Sequence, residues 1–148
     1  MMRFNHMELT FAPGALTPST RESIVGFYTD VFGWSSTETD VLGMSCLLLQ
    51  LDPYTNQFLL LAENERPLSA PGYDHLGLLQ DSRAEVDRLL DACKRFQQTD
   101  DRVQIKEYKD LVSPGMTVHA FYVKYLLPIW FDVQSMERAH AVPTWTYA

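Results

Sequence analysis

The chain has 148 residues, a formal net charge of −7, 46% hydrophobic residues and 21% charged residues. That length suits one domain of ordinary size, and the balance of apolar and charged residues excludes a disordered chain. No Lys/Arg run is present, so the basic footprint of a nucleic-acid binder is missing, and the apolar runs, such as Phe58 to Ala62, are too short to span a bilayer.

The opening MMRFNHMELTF lacks the basic and long apolar regions of a signal peptide, so none is expected. Residues 3–11 alternate and predict a strand ending at Phe11. Pro13, Gly14 and Pro18 break that pattern. Ser19-Thr20-Arg21-Glu22 then reads as a capping box, with Ile24, Phe27, Tyr28 and Val31 following at helical spacing and Gly33 as a natural stop. Three strands are predicted next, at about 34–41, 44–51 and 57–63. The first turn is marked by Leu42-Gly43 and the second by Asp52-Pro53-Tyr54-Thr55-Asn56.

Residues 64–72, with two prolines and a glycine, predict a connector. The order then repeats. Tyr73 to Leu79 predicts a strand, Ser82-Arg83-Ala84-Glu85 a second capping box, and Val86, Leu89, Leu90, Cys93 and Phe96 a second amphipathic helix. Strands are predicted after it at about 102–108, 116–124 and 128–135. The expectation is therefore an α+β fold of two βαβββ modules within a single domain spanning 1–148. Module one covers about 3–63, module two about 73–135, and residues 136–148 form a tail without clear period. A repeat this long and only two units deep points to a duplicated module rather than a solenoid. Cys46 and Cys93 sit in apolar patterns without metal-type spacing, which predicts buried free thiols in a reducing compartment, hence a cytoplasmic protein.

Side chains alternate across a strand. In the first strand His6 and Glu8 share one face, opposite Met7, Leu9 and Phe11. In the fifth, His75 lies opposite Leu76 and Leu78. In the last, Trp130, Asp132 and Gln134 lie opposite Ile129, Phe131 and Val133. A helix must cover each apolar face, which leaves His6, His75 and Asp132 on the faces turned away from the helices. Two imidazoles and one carboxylate have the composition of a facial triad with open positions, suited to Fe(II) and related divalent metals. No Lys or Arg is assigned beside Asp132, so a metal held with the two histidines is its natural partner. Glu8 is a candidate general base or stand-in ligand, and His119 and Tyr122 are candidates for acid or base work. Gln57, Leu59, Leu61, Phe121 and Trp130 are expected to line an apolar, aromatic substrate pocket. Each has a bland alternative: a hydrogen-bonded structural His, an edge-strand His119 facing solvent, a core Tyr122, a core Trp130, a surface Asp132. Phosphate-cradling glycine loops, GxSxG, CxxC and HExxH are all missing.

FNHMEL, FYTDVFGW at the end of the first helix, YDHLGL and IWFDVQ together resemble the vicinal oxygen chelate superfamily, the group of glyoxalases, bleomycin-resistance proteins and extradiol dioxygenases. The resemblance spans roughly residues 3–135. It implies an open, cup-shaped eight-stranded barrel with the helices outside. It also implies metal ligands at His6 and His75, with Asp132 where the family usually has Glu. Leu59 or Gln57 falls where glyoxalase-type members place a further Glu, so the three-ligand pattern of the dioxygenases fits better. The resemblance thus implies a metal-dependent enzyme of the glyoxalase/dioxygenase type, Fe(II) being favoured and Mn, Ni or Zn the alternatives. Its substrate would be a small oxygenated apolar or aromatic molecule. A homodimer is also implied, with neither nucleic acid nor membrane as partner. The alternative is a non-catalytic protein that sequesters an antibiotic or another planar ligand; a duplicated scaffold with a vestigial pocket is a third reading.

Overall fold

A computed structural model describes residues 2–139. The chain divides into two compact units, one of residues up to 71 with 126–128, the other of residues 72–125 and from 129 onward. Each unit is one βαβββ module with its own sheet.

In the first unit the strands are β1 (His6–Phe11), β2 (Ser35–Val41), β3 (Met44–Gln50) and β4 (Phe58–Glu63), with helix α1 (Pro18–Phe32) between β1 and β2. The sheet order is β1-β4-β3-β2, and β1 and β4 run parallel. Register places Leu9, Leu61 and Leu47 in one row and Met7, Leu59 and Leu49 in the next. The five leucines are 0–1% exposed. The buried stripe of α1 is Ile24, Phe27, Tyr28 and Val31, and α1 lies against β2 and β3. Gly33 ends the helix at φ 71°, a conformation that costs an L side chain but not glycine. Glu63, at the end of β4, accepts hydrogen bonds from the Gly14 and Leu16 amides at 2.9 and 2.8 Å and so closes the loop between β1 and α1.

The first helix begins earlier than the capping box at Ser19 predicts. Pro18 is its first residue and Thr17 is the N-cap, its Oγ1 accepting from the Thr20 amide at 3.2 Å. Proline has a fixed φ and no N–H to satisfy, so it starts this helix instead of breaking the chain before it. Thr17→Ala is therefore expected to destabilise the protein by about 1 kcal/mol. Ser19→Ala should leave stability nearly unchanged; urea denaturation of the two variants checks the assignment.

The second unit repeats the plan with β5 (His75–Leu79), α2 (Arg83–Gln97), β6 (Gln104–Glu107), β7 (Leu111–Ser113), β8 (Met116–Lys124) and β9 (Trp130–Arg138). Its sheet order is β5-β9-β8-β6, β5 and β9 are parallel, and β7 also pairs with β8. Ser82 caps α2 as predicted, accepting from the Glu85 amide at 3.2 Å. Two rows, Leu76–Phe131–Val123 and Leu78–Val133–Phe121, form the face against which α2 packs through Val86, Leu89 and Cys93. The expected α+β class and duplicated βαβββ order are both present, with β7 as an addition. That strand is three residues long, too short for a period, and Gly115 at φ 77° turns it back onto β8. Strand β9 runs to Arg138, so the tail starts later than residue 136; residues 140–148 of the expected tail lie outside the described residues. Both cysteines are buried and free, and burial pushes the Cys93 thiol up to about 12, which leaves it inert as a nucleophile. No helix of the described residues is long and apolar enough to cross a membrane.

Candidate functional site

Polar chemistry in the second unit gathers on the face of the sheet turned away from α2. Register builds it row by row. Gly77, Asp132, Tyr122 and Lys106 stand in one row across β5, β9, β8 and β6, and His75 and Trp130 stand together in the next. The Asp132 side chain is 12% exposed and its Oδ2 lies 3.8 Å from His75 Nε2. Its Oδ1 is buried without a hydrogen-bond partner. Burial pushes the Asp132 carboxyl above the ordinary carboxylate range, against the opposing pull of His75. Gly77 contributes no side chain beside it; a Cβ there would meet the Gln134 amide at 3.2 Å.

His75 is held at its other nitrogen. Nδ1 lies 2.9 Å from the Tyr73 carbonyl oxygen, which can only accept, so Nδ1 carries the proton and Nε2 presents its lone pair. Nε2 faces both Asp132 and the Tyr122 hydroxyl, the latter at 3.4 Å. Burial and the Asp132 charge raise the Tyr122 phenol, which therefore stays protonated and able to donate. An imidazole fixed through Nδ1 beside a carboxylate, one of whose oxygens is buried without a partner, is a donor set that fits a divalent cation. Among the described residues no group of three or more His, Cys, Asp or Glu side chains is placed to hold a metal ion, so in this unit the metal-type pair is His75 with Asp132.

The first unit presents His6 and Glu8 on the face turned away from its own helix. His6 stacks on Phe58, ring centroids 4.9 Å apart and 9° from parallel, and its Nδ1 lies 2.8 Å from Asn5 Oδ1. An amide oxygen accepts, so here too Nε2 is left with its lone pair. A pocket of ≈ 220 Å³ opens in this unit, lined by Asn5, Thr37, Leu48, Gln50, Asn56 and Phe58.

Several expected site residues lie elsewhere. Leu59 and Leu61 belong to the rows buried under α1, opposite His6; the pocket wall in β4 is Phe58, one residue out of phase. Phe121 is 1% exposed on the face covered by α2, opposite Tyr122 and Asp132. His119 shares that face, at the edge of α2. Its Nε2 meets Asp87 at 2.8 Å, and its Nδ1 meets Asp110 at 2.8 Å and Arg83 at 2.8 Å. It ties helix to sheet and does not reach His75. Gln57 precedes β4 and its amide donates to the Phe4 carbonyl at 3.4 Å. Trp130 does stand beside His75, and Tyr122 beside Asp132.

Three further residues belong to the open face and are not singled out by the sequence pattern: Tyr73, Lys106 and Tyr108. Tyr73 packs on Trp130 at 5.1 Å and Tyr108 on Tyr122 at 4.8 Å. Lys106 Nζ sits 3.7 Å from the Tyr73 ring centroid and 5.0 Å from that of Tyr108. Lys106 is thus a cation on this face, in the row of Asp132 but two strands from it. The alternation Gln104-Ile105-Lys106 puts Lys106 opposite Ile105, but its alignment with Tyr122 and Asp132 depends on register with β8 and β9.

His119 supplies a pH prediction. Burial lowers its affinity for a proton, but hydrogen bonds to Asp110 and Asp87 outweigh that, and its pKa is raised above 6.5. The folded state therefore holds this proton more tightly than the unfolded chain. The stabilisation is complete below pH 6.5 and is lost as pH rises through the folded value. Thermal melts should show Tm falling across that window, and His119→Gln should flatten the slope.

No family model and no curated protein matches the sequence. Solved structures match its fold at low identity. The fosfomycin resistance protein FosX from Listeria monocytogenes aligns with a TM-score of 0.60 and 13% identity over 91% of each chain. A glyoxylase/bleomycin resistance protein/dioxygenase domain from Frankia sp. aligns with a TM-score of 0.60 and 15% identity, over 93% of this chain and 99% of that one. The integron cassette protein VCH_CASS1 from the V. Cholerae mobile metagenome aligns with a TM-score of 0.55 and 20% identity, over 91% and 95%. A FosX mutant has been solved with Mn(II) and 1S,2S-dihydroxypropylphosphonic acid.

Proposed function

We propose that this chain, which has the fold of the vicinal oxygen chelate superfamily, is a metal-dependent enzyme of the glyoxalase/dioxygenase type acting on a small oxygenated molecule. The observation that carries this reading is His75 Nε2, freed by the bond from Nδ1 to Tyr73, standing 3.8 Å from Asp132 Oδ2, while the other oxygen of that carboxylate, Oδ1, is buried without a hydrogen-bond partner. His75 and Asp132 are the proposed ligands in the second module. His6 carries the same free Nε2 in the first and is proposed as a ligand as well.

A bound divalent ion would supply Lewis-acid polarisation of substrate oxygen atoms. The chain's own residues do the rest. Tyr122 keeps its proton and donates it as a hydrogen bond to a substrate oxygen beside His75. Trp130, Tyr73 and Tyr108 offer flat apolar surfaces that orient a planar substrate and exclude water. Glu8, exposed on the open face of the first module, is the proposed general base.

The aromatic lining also favours a second reading, a protein that binds a planar ligand without turning it over. Metal content separates the two. Protein purified anaerobically and analysed for Fe, Mn, Ni and Zn should hold a near-stoichiometric divalent metal, and the chelated protein should take up Mn(II) with a change in its electron paramagnetic resonance spectrum. A metal-free protein that ignores Mn(II), Fe(II), Ni(II) and Zn(II) alike would leave the binding-protein reading.

A further inference from the structure

The open face of the second module carries a cation in an unusual setting. Lys106 stands in register with Tyr122, one strand further from Asp132. None of the ion pairs of the described residues involves it, although the chain has 19 acidic residues against 12 Lys and Arg. Its neighbour on the opposite face, Glu107, pairs with Lys94 at 2.8 Å instead. The Lys106 ammonium lies over the rings of Tyr73 and Tyr108. Contacts with Tyr108 and Tyr73 hold it above the ordinary lysine range, so it is charged at neutral pH. Asp132 lies two strand spacings away, about 10 Å, too far to neutralise it directly. Lys124, in register with Gln104, shares the face by alternation and adds to its positive charge.

A cation held by π faces, with no carboxylate of its own, keeps its capacity for a charged hydrogen bond to an incoming oxygen. The same tyrosines and Trp130 present flat rings around it. We infer that Lys106 is the anion-accepting residue of the site, and that the ligand of this face is a planar aromatic carboxylate whose carboxylate is received by Lys106 and whose ring lies among Tyr73, Tyr108, Tyr122 and Trp130. This deepens the proposed function by naming the substrate class, and it rests on that reading for placing the substrate on the face of His75 and Asp132. A neutral apolar substrate would leave Lys106 unused.

The test titrates the metal-free full chain calorimetrically with benzoate, benzyl alcohol and acetate, and repeats it with Lys106→Met and Lys106→Arg. Benzoate should bind the unaltered chain more tightly than either of the other two. Lys106→Met should weaken benzoate binding by about tenfold or more, the effect of one lost charge-assisted hydrogen bond, and leave benzyl alcohol unaffected. Lys106→Arg should retain most of the benzoate affinity, which separates charge from misfolding. Unchanged benzoate binding in Lys106→Met, no benzoate binding at millimolar concentration, or equal affinity for acetate and benzoate would each overturn the inference. Mn(II) binding, measured alongside, should be the same with and without Lys106→Met. Its absence from the unaltered chain would sink the metal reading while the benzoate result still decides the role of Lys106.

Discussion

Replacing Asp132 by alanine is expected to lower Mn(II) affinity by about a hundredfold or more, since loss of even an outer partner of a ligand commonly costs 10- to 100-fold. The same position should show the opposite effect on stability. Asp132 is 8% exposed, one of its oxygens has no hydrogen-bond partner, and burial raises its carboxyl. A carboxyl raised in the folded state is destabilising once ionised: the cost grows as pH rises from the unfolded value of 3.8 through the folded one and is complete above it. Asp132→Asn removes the charge at nearly constant shape. In the metal-free protein it should therefore raise stability by about 1 kcal/mol, or Tm by about 3 °C, while abolishing the further rise that Mn(II) gives the unaltered chain. Asp132→Glu should keep partial metal binding, with the carboxylate displaced by one methylene. Calorimetric melts with and without Mn(II) read all of this. A lower Tm for metal-free Asp132→Asn would mean the carboxylate is already satisfied in the fold, and the metal reading would lose its main support.

The second large effect concerns Phe121. Its ring is 1% exposed, in register with Val133 and Leu78 on the face under α2. Phe121→Ala should cost about 3–5 kcal/mol, from lost burial plus the cavity left behind, a large share of the roughly 5–15 kcal/mol that stabilises an ordinary domain. Tyr108, 41% exposed on the opposite face, should cost less than about 1 kcal/mol when replaced by alanine, and its loss should instead weaken binding of a planar ligand. Urea denaturation of the two variants tests the register directly. A Phe121→Ala protein with near-native stability would place that side chain in the pocket after all.

The two helices are legible almost residue by residue. Ile24, Phe27, Tyr28 and Val31 recur at helical spacing and are the buried stripe of α1; Val86, Leu89 and Cys93 are that of α2. Gly33 and Ser82 act as the stop and cap their residue types suggest. The first cap falls two residues before Ser19, because Pro18 resembles a breaker in the pattern while its geometry suits a first turn. In the site, alternation within single strands places His75, Asp132 and Trp130 on one face, and register brings them together in adjacent rows.

Alternation and helical period are properties of contiguous residues, so the two βαβββ modules, their helix-packed stripes and the shared face of Trp130 and Asp132 can be read from the chain alone. Which strand lies beside which, and in what phase, depends on contacts between distant residues. A shift of one position moves every side chain of a strand to the other face. That is why Leu59, Leu61 and Phe121 suit a pocket wall on sequence although register buries them under the helices. It is also why Lys106, placed in the row of Tyr122 and Asp132 by pairing between β6, β8 and β9, comes to light only with the folded sheet.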